Sequence, residues 1–193
     1  AINMHVSADQ LNLELVAQGV ENLVHIGVGL HFGVVVVGVF GDSTRLSTSI
    51  VAADVNLANQ LESLTKPYGT KIMCSDAVAG QINIDDYDIR ALGTVKLGST
   101  STSSSKQGDQ QQTSSSNSAN RNSAAVMEVK IFDIFQTDPV KLKSFKRETL
   151  EDFELAVKSL EKDPGTAQKL FEKCLRVAKQ KGIRDFASEK LYG

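Results

Sequence analysis

Over residues 23–73 the hydrophobic pattern changes period once, and few folds accommodate that change. Leu23–Leu30 and Val34–Phe40 are rich in β-branched residues, the second reading Val-Val-Val-Val-Gly-Val-Phe. From Ala52 the apolar spacing lengthens to three and four, through Val55, Leu57, Ala58, Leu61 and Leu64. Alternation suits a strand and the longer spacing a helix face. The stretch therefore predicts two mostly buried strands, a glycine-punctuated connection, an amphipathic helix and a third strand. The natural pairing of the first two is an antiparallel hairpin through His31-Phe32-Gly33. Gly38 and Gly41 mark a bend, Leu46–Val51 extends as a further short strand, and Pro67-Tyr68-Gly69 ends the helix.

The flanks add to this frame. Residues 1–18, with Ile2, Val6, Leu11, Leu15 and Val16 among polar neighbours, predict a helix capped by Gly19. Thr70–Cys74 reads as a strand, Ser75-Asp76 as the cap of a short helix reaching about Ile82, and Tyr87–Ala91 and Gly93–Leu97 as strands. Alternating Val129, Ile131 and Ile134 predict another over 126–135. Between these strands, Ser99–Ala125 is almost entirely Ser, Thr, Asn, Gln and Gly. Nothing in that composition offsets the entropy of ordering, so the stretch reads as a disordered loop inserted in a hairpin, a length of loop that a core tolerates.

The remainder reads as helical. Asp138-Pro139 offers a cap with proline in the first turn, and Thr149–Asp152 opens a helix with Leu150, Phe153, Val157 and Leu160 on one line. Asp163-Pro164 starts another, carrying Ala167, Leu170, Phe171, Cys174, Leu175 and Ala178 on one face and ending at Gly182. The expected organisation is one unit of residues 1–98 and 126–136, an insertion at 99–125, and a helical hairpin tail at 137–193.

Composition narrows the function classes. A net charge of −2 leaves no basic excess to meet phosphates, which argues against a nucleic-acid partner. Cys74 and Cys174 sit in apolar patterns without metal-site or disulfide spacing and read as buried thiols of a reducing compartment. The most apolar stretch, 26–40, is too short and too rich in glycine to span a bilayer. The chain opens on Ala1 within a helix, so the expectation is a piece of something longer.

Several segments together carry a resemblance. Ile26-Gly-Val-Gly-Leu-His31-Phe-Gly33 is similar to an "IGIHTG" strand, Gly38-x-x-Gly41 with Arg45 to a "GxxG…R" turn, and Val55-Asn56-Leu57-Ala58…Leu61-Glu62 to a "VNLAxRLE" helix. Lys66-Pro67-Tyr68-Gly69, Ser75-Asp76-Ala77 and Leu92-Gly93-x-Val95 follow in the same order. Over about residues 1–135 the chain resembles the later portion of the class III nucleotidyl cyclase catalytic domain. The resemblance implies an α/β fold, an α+β sandwich of ferredoxin-like type. It also implies head-to-tail pairing with a second cyclase-type domain, or membership of a larger assembly, with sites shared across the interface. It places the chain in the cytoplasm, or in the cytosolic part of a larger membrane protein.

That family transfers a phosphoryl group intramolecularly: the ribose 3′-hydroxyl attacks the α-phosphate, with divalent metals and a cation countering the developing charge. The resemblance implies nucleotide contact at Ser49, seven residues before Asn56, and at Asn56 itself. The transition-state arginine corresponds to Gln60, which keeps donors but lacks the permanent charge. A "GD" pair corresponds to Ala52-Ala53, with Asp54 shifted by one; the basic residue after strand 93–97 is replaced by Gly98, with Lys96 nearby. The metal-binding aspartates belong to strands earlier than Ala1, so no cofactor is assigned to this chain, and Mg²⁺ or Mn²⁺ belongs to an active assembly.

The residues also have plainer readings. Asn56 and Gln60 read equally as solvated helix positions, His31 as a core or interface histidine, and the glycines as tight turns, since no P-loop lysine follows. Three functions stay open: a degenerate cyclase-homology pairing module, the back half of a working cyclase, and a helical docking arm.

Overall fold

The computed structural model describes residues 1–41, 46–51, 53–83, 86–98 and 126–192, with the backbone alone at 40, 41 and 46–51. The readings made for Arg45, Ala52 and Ser99–Ala125 lie outside the described residues. The α/β layering expected from the sequence is present. Helix α1 (Ile2–Ala17) leads to β1 (Val28–Leu30), β2 (Val36–Gly41), β3 (Leu46–Val51), α2 (Ala53–Tyr68), β4 (Ile72–Ser75) and the short α3 (Asp76–Ala79). Then come β5 (Ile89–Gly98), β6 (Val126–Ile134), α4 (Val140–Glu148), α5 (Leu150–Ser159), α6 (Pro164–Gln180) and α7 (Phe186–Tyr192).

Four strands form a mixed sheet in the order β1-β4-β6-β5, and β2 and β3 form a separate two-stranded ribbon. The expected hairpin between the two valine-rich runs is therefore not made. Val28–Leu30 pairs in parallel with Ile72–Cys74, while Val36–Gly41 pairs antiparallel with Leu46–Val51. A parallel neighbour requires a long crossover, and the ribbon together with α2 supplies it. Nor is the second run buried. Val34, Val36, Val37 and Val39 are each more than 60% exposed, because among the described residues no layer lies on the ribbon.

Helix α2 sits directly on β1. A Cβ on Gly29 would stand 2.2 Å from the Ala58 carbonyl oxygen and 2.3 Å from the Glu62 nitrogen, so glycine is what permits this approach. Period-two alternation then divides the core. Met73, Val129 and Ile131 face Leu57, Leu61, Phe153, Phe171, Cys174 and Ala187 of α2, α5, α6 and the start of α7. Ile72, Cys74 and Ile134 face the other way, toward Ala79, Val78 and Ile2. The predicted apolar line of α1 is mostly not used: Val6, Leu11 and Val16 are exposed and His5 is buried. Those apolar residues scatter around the helix rather than forming a stripe that a core could cover.

Strands β5 and β6 pair along their length, with a register shift at Ala91/Gly93 that merges the two predicted segments into one bulged strand. Gly98 faces Val126, so residues 99–125 connect adjacent strand ends. Beyond β6, the cap assigned to Asp163 is made, its carboxylate accepting from the Thr166 N–H at 3.2 Å. Asp138 does not cap α4; its carboxylate accepts from the Lys146 ammonium at 2.5 Å. That bond belongs to a buried network. The Arg90 guanidinium donates to Asp133 at 3.0 Å and to both oxygens of Asp185, at 2.9 and 3.2 Å, and Lys146 also reaches Asp133 at 2.8 Å. The network ties β5 and β6 to α4 and to the residue preceding α7.

Candidate functional site

Asn56 and Gln60 stand one turn apart on α2, both half-buried, as their spacing requires. The Gln60 amide donates to the Gly98 carbonyl at 2.8 Å. It thereby ties the middle of α2 to the last residue of β5. Ser49 lies on β3 opposite Gly38, on the ribbon rather than on the helix, and its side chain lies outside the description. The structure thus brings Asn56 and Gln60 to one helix, with Ser49 on the strand that leads into it. Lys96 pairs with Glu128 across the hairpin at 3.5 Å, with both side chains exposed.

A second group was not assembled from the sequence. His31 follows β1, Ser75 ends β4, and Asp54 sits in the first turn of α2. Because β1 and β4 run parallel, their C-terminal ends lie at one edge of the sheet. The His31 Nδ1 is 2.8 Å from the Ser75 Oγ, and its Nε2 is 3.5 Å from the Asp54 Oδ1. The other Asp54 oxygen accepts from the Val34 N–H at 2.7 Å. Ser75 was expected to cap α3 with its side chain, but that hydroxyl makes no cap bond and engages His31 instead. The three residue types are those of a hydrolytic triad, yet Ser75 is fully buried and cannot meet a substrate. The signal that could have found the group is Asp54 itself, a carboxylate at a helix N-terminus whose register departs by one from the "GD" pattern.

Both thiols are free and buried, and burial pushes Cys74 up to about 12 and Cys174 up to about 11, so neither is a nucleophile near neutral pH. Among the described residues no three His, Cys, Asp or Glu side chains converge as a metal site. Among the described residues no helix is long and apolar enough to cross a membrane.

A family model described as "Adenylate and Guanylate cyclase catalytic domain" matches residues 1–112. Over 75 residues, 39% of the chain, the sequence is 40% identical to "Adenylate cyclase 1" of Rhizobium meliloti (strain 1021), and the match spans 11% of that protein. Over 86 residues, 43% of the chain, it is 34% identical to "Adenylate cyclase" of Anabaena cylindrica, spanning 17% of it. The chain thus covers a small part of the length of both relatives. Among solved structures, a bacterial light-regulated adenylyl cyclase aligns over 64% of this chain and 48% of its own, at 18% identity and a TM-score of 0.37.

Proposed function

This chain belongs to the adenylate and guanylate cyclase catalytic domain family, and from that premise we propose that it is a catalytically degenerate pairing module of a larger protein or assembly. The observation that carries the reading is Gln60. At the position where the resemblance implies an arginine, the side chain is uncharged and its amide is already committed to the Gly98 carbonyl. Losing one preorganised charged donor commonly costs about 10²–10³ in rate. Pairing is supported by β2, where Val36, Val37 and Val39, with Val34 just ahead of the strand, leave apolar side chains exposed on both faces. Contiguous exposure of this kind marks an interaction surface.

Two measurements test the proposal. Purified chain given ATP or GTP with Mg²⁺ or Mn²⁺ forms no cyclic nucleotide above blank; formation above blank overturns degeneracy. In sedimentation the chain self-associates or binds a cyclase-type domain, and Val37→Lys abolishes that association; an association indifferent to Val37→Lys overturns the ribbon as its surface.

A second reading is favoured by the two relatives, both named adenylate cyclases. In it the chain is the back half of a working cyclase, with Ser49 and Asn56 toward the nucleotide and the metal-binding half on another domain. Mixing the chain with a cyclase domain that carries the metal aspartates discriminates: cyclic nucleotide formed above that domain's own rate, and lost on Asn56→Ala, supports this reading against the first.

A further inference from the structure

The exposed valines of the ribbon leave the sheet through Phe32–Val35, a connection without secondary structure of its own. Such a segment has many directions available to it, and fixing one of them costs backbone entropy. Something must select one direction if the ribbon is to meet a partner in a fixed pose. The group at the parallel-strand edge does so by a continuous line of contacts. Ser75, fully buried at the end of β4, holds the His31 ring at 2.8 Å; the ring stands 3.5 Å from the Asp54 carboxylate; and the carboxylate holds the Val34 N–H at 2.7 Å.

We propose that His31 and Asp54 are positioning residues of the pairing ribbon, forming a latch that fixes where Val34–Val37 leave the sheet. The inference rests on the pairing role proposed for the ribbon. Gly33 is cut to fit the latch: a Cβ there would stand 2.2 Å from an Asp54 carboxylate oxygen, so any other residue displaces the acceptor. Hydrogen-bond logic makes the line self-consistent. The Ser75 hydroxyl and the His31 Nδ1 share a hydrogen bond, one Asp54 oxygen lies within ion-pair reach of Nε2, and the other accepts from the Val34 N–H. The bond to Val34 is charge-assisted, the stronger class of backbone contact. Asp54 also stands in the first turn of α2, two residues before Asn56, so one carboxylate places the ribbon relative to the helix that carries Asn56 and Gln60.

The test uses the full chain and two readouts. Hydrogen exchange at the Val34 amide reads the latch directly. Asp54→Ala and Gly33→Ala accelerate it about tenfold or more, the worth of one bond to a charged acceptor; Asp54→Asn, which keeps an acceptor oxygen, falls between. His31→Phe, which breaks the bond to Ser75 and removes the ring beside Asp54, accelerates exchange less than Asp54→Ala because the Asp54–Val34 bond remains, and unchanged exchange in His31→Phe overturns the place of His31 in the latch. Unchanged exchange in Asp54→Ala overturns the latch. Sedimentation reads the consequence: Asp54→Ala weakens pairing at least tenfold with far-ultraviolet circular dichroism unchanged. Accelerated exchange with undiminished pairing, in a chain whose pairing Val37→Lys does abolish, overturns the positioning role. If Val37→Lys leaves pairing intact, the ribbon reading fails instead, and Val34 exchange still judges the latch.

Discussion

Replacing Asp185 with alanine should be among the most damaging single changes available in this chain. Asp185 and Arg90 are 3% and 1% exposed, and their bidentate contact is joined by a 2.6 Å bond from the Ser188 hydroxyl. Burial opposes the Arg90 charge, but Asp185 and then Asp133 outweigh it and hold the guanidinium above its ordinary pKa. Truncating one partner of a buried pair leaves the other charged and under-solvated, at a cost of about 3–5 kcal/mol. In a chain of this size 1 kcal/mol moves the melting temperature by about 2–4 °C, so Asp185→Ala should melt some 6–20 °C lower. The network also predicts an order. Around Arg90 and Lys146 stand the carboxylates of Asp133, Asp138 and Asp185. Removing Asp185 leaves the charges balanced, whereas Arg90→Met leaves three carboxylates around one ammonium. Arg90→Met should therefore cost more than Asp185→Ala, and the double variant Arg90→Met/Asp185→Ala less than the sum of the singles. Urea unfolding at pH 7 followed by circular dichroism gives all three numbers. A loss under about 1 kcal/mol for Asp185→Ala, or strict additivity in the cycle, refutes the reasoning.

Other expectations follow from single sites. Burial, and then the neighbouring Lys71 charge, holds the His5 imidazole below its ordinary 6.5. Between that lower folded value and 6.5 the unfolded chain carries the extra proton, so stability falls as pH drops through this window, and His5→Gln flattens the slope in urea titrations. Asp138 has the opposite sign. Burial raises its carboxyl above 3.8 despite Lys146, so its contribution is lost as pH rises from 3.8 to the folded value, which a comparison with Asp138→Asn below pH 6 would expose. Gly29→Ala drives a methyl into the α2 backbone and should cost about 1–3 kcal/mol, read as a lower urea midpoint. Cys74 and Cys174 should resist a thiol reagent in the native chain and react at once in denaturant; rapid native labelling contradicts their burial.

How much of this was legible depended on whether a signal was local. The period of three to four over Val55–Leu64 specified α2, and Leu57 and Leu61 are among its buried positions, although Val55, expected on the same face, is exposed in its first turn. The face running through Ala167, Phe171, Cys174 and Ala178 was equally plain, and it is the buried face of α6. Strand pairing was not local. Adjacent valine-rich runs invite a hairpin, but His31-Phe32-Gly33 is consumed by the contacts to Asp54 and Ser75 rather than by a tight turn. A run of β-branched residues reports what a strand is able to bury, not whether the same chain supplies a covering layer; Val34–Val39 carry that distinction. At the candidate site, the family pattern located Asn56 and Gln60, and helical spacing put them on one face. The Gln60–Gly98 bond joins residues 38 apart, and the His31–Ser75 bond residues 44 apart. No periodicity encodes such contacts, and Ser75 read naturally as a cap because its local sequence is that of one.

The Arg90–Asp185 contact spans 95 positions of sequence, and that distance has a meaning during synthesis. At 5–20 residues per second, on the order of 5–20 s separates the appearance of Arg90 at the ribosome from that of its carboxylate partner. Through the later part of that interval Asp133 is the one carboxylate of the pair that Arg90 has within reach, and its bidentate partner is still missing. Closure of this part of the core then waits on Asp185, so the residue just ahead of α7 is the one that commits β5 to its native packing.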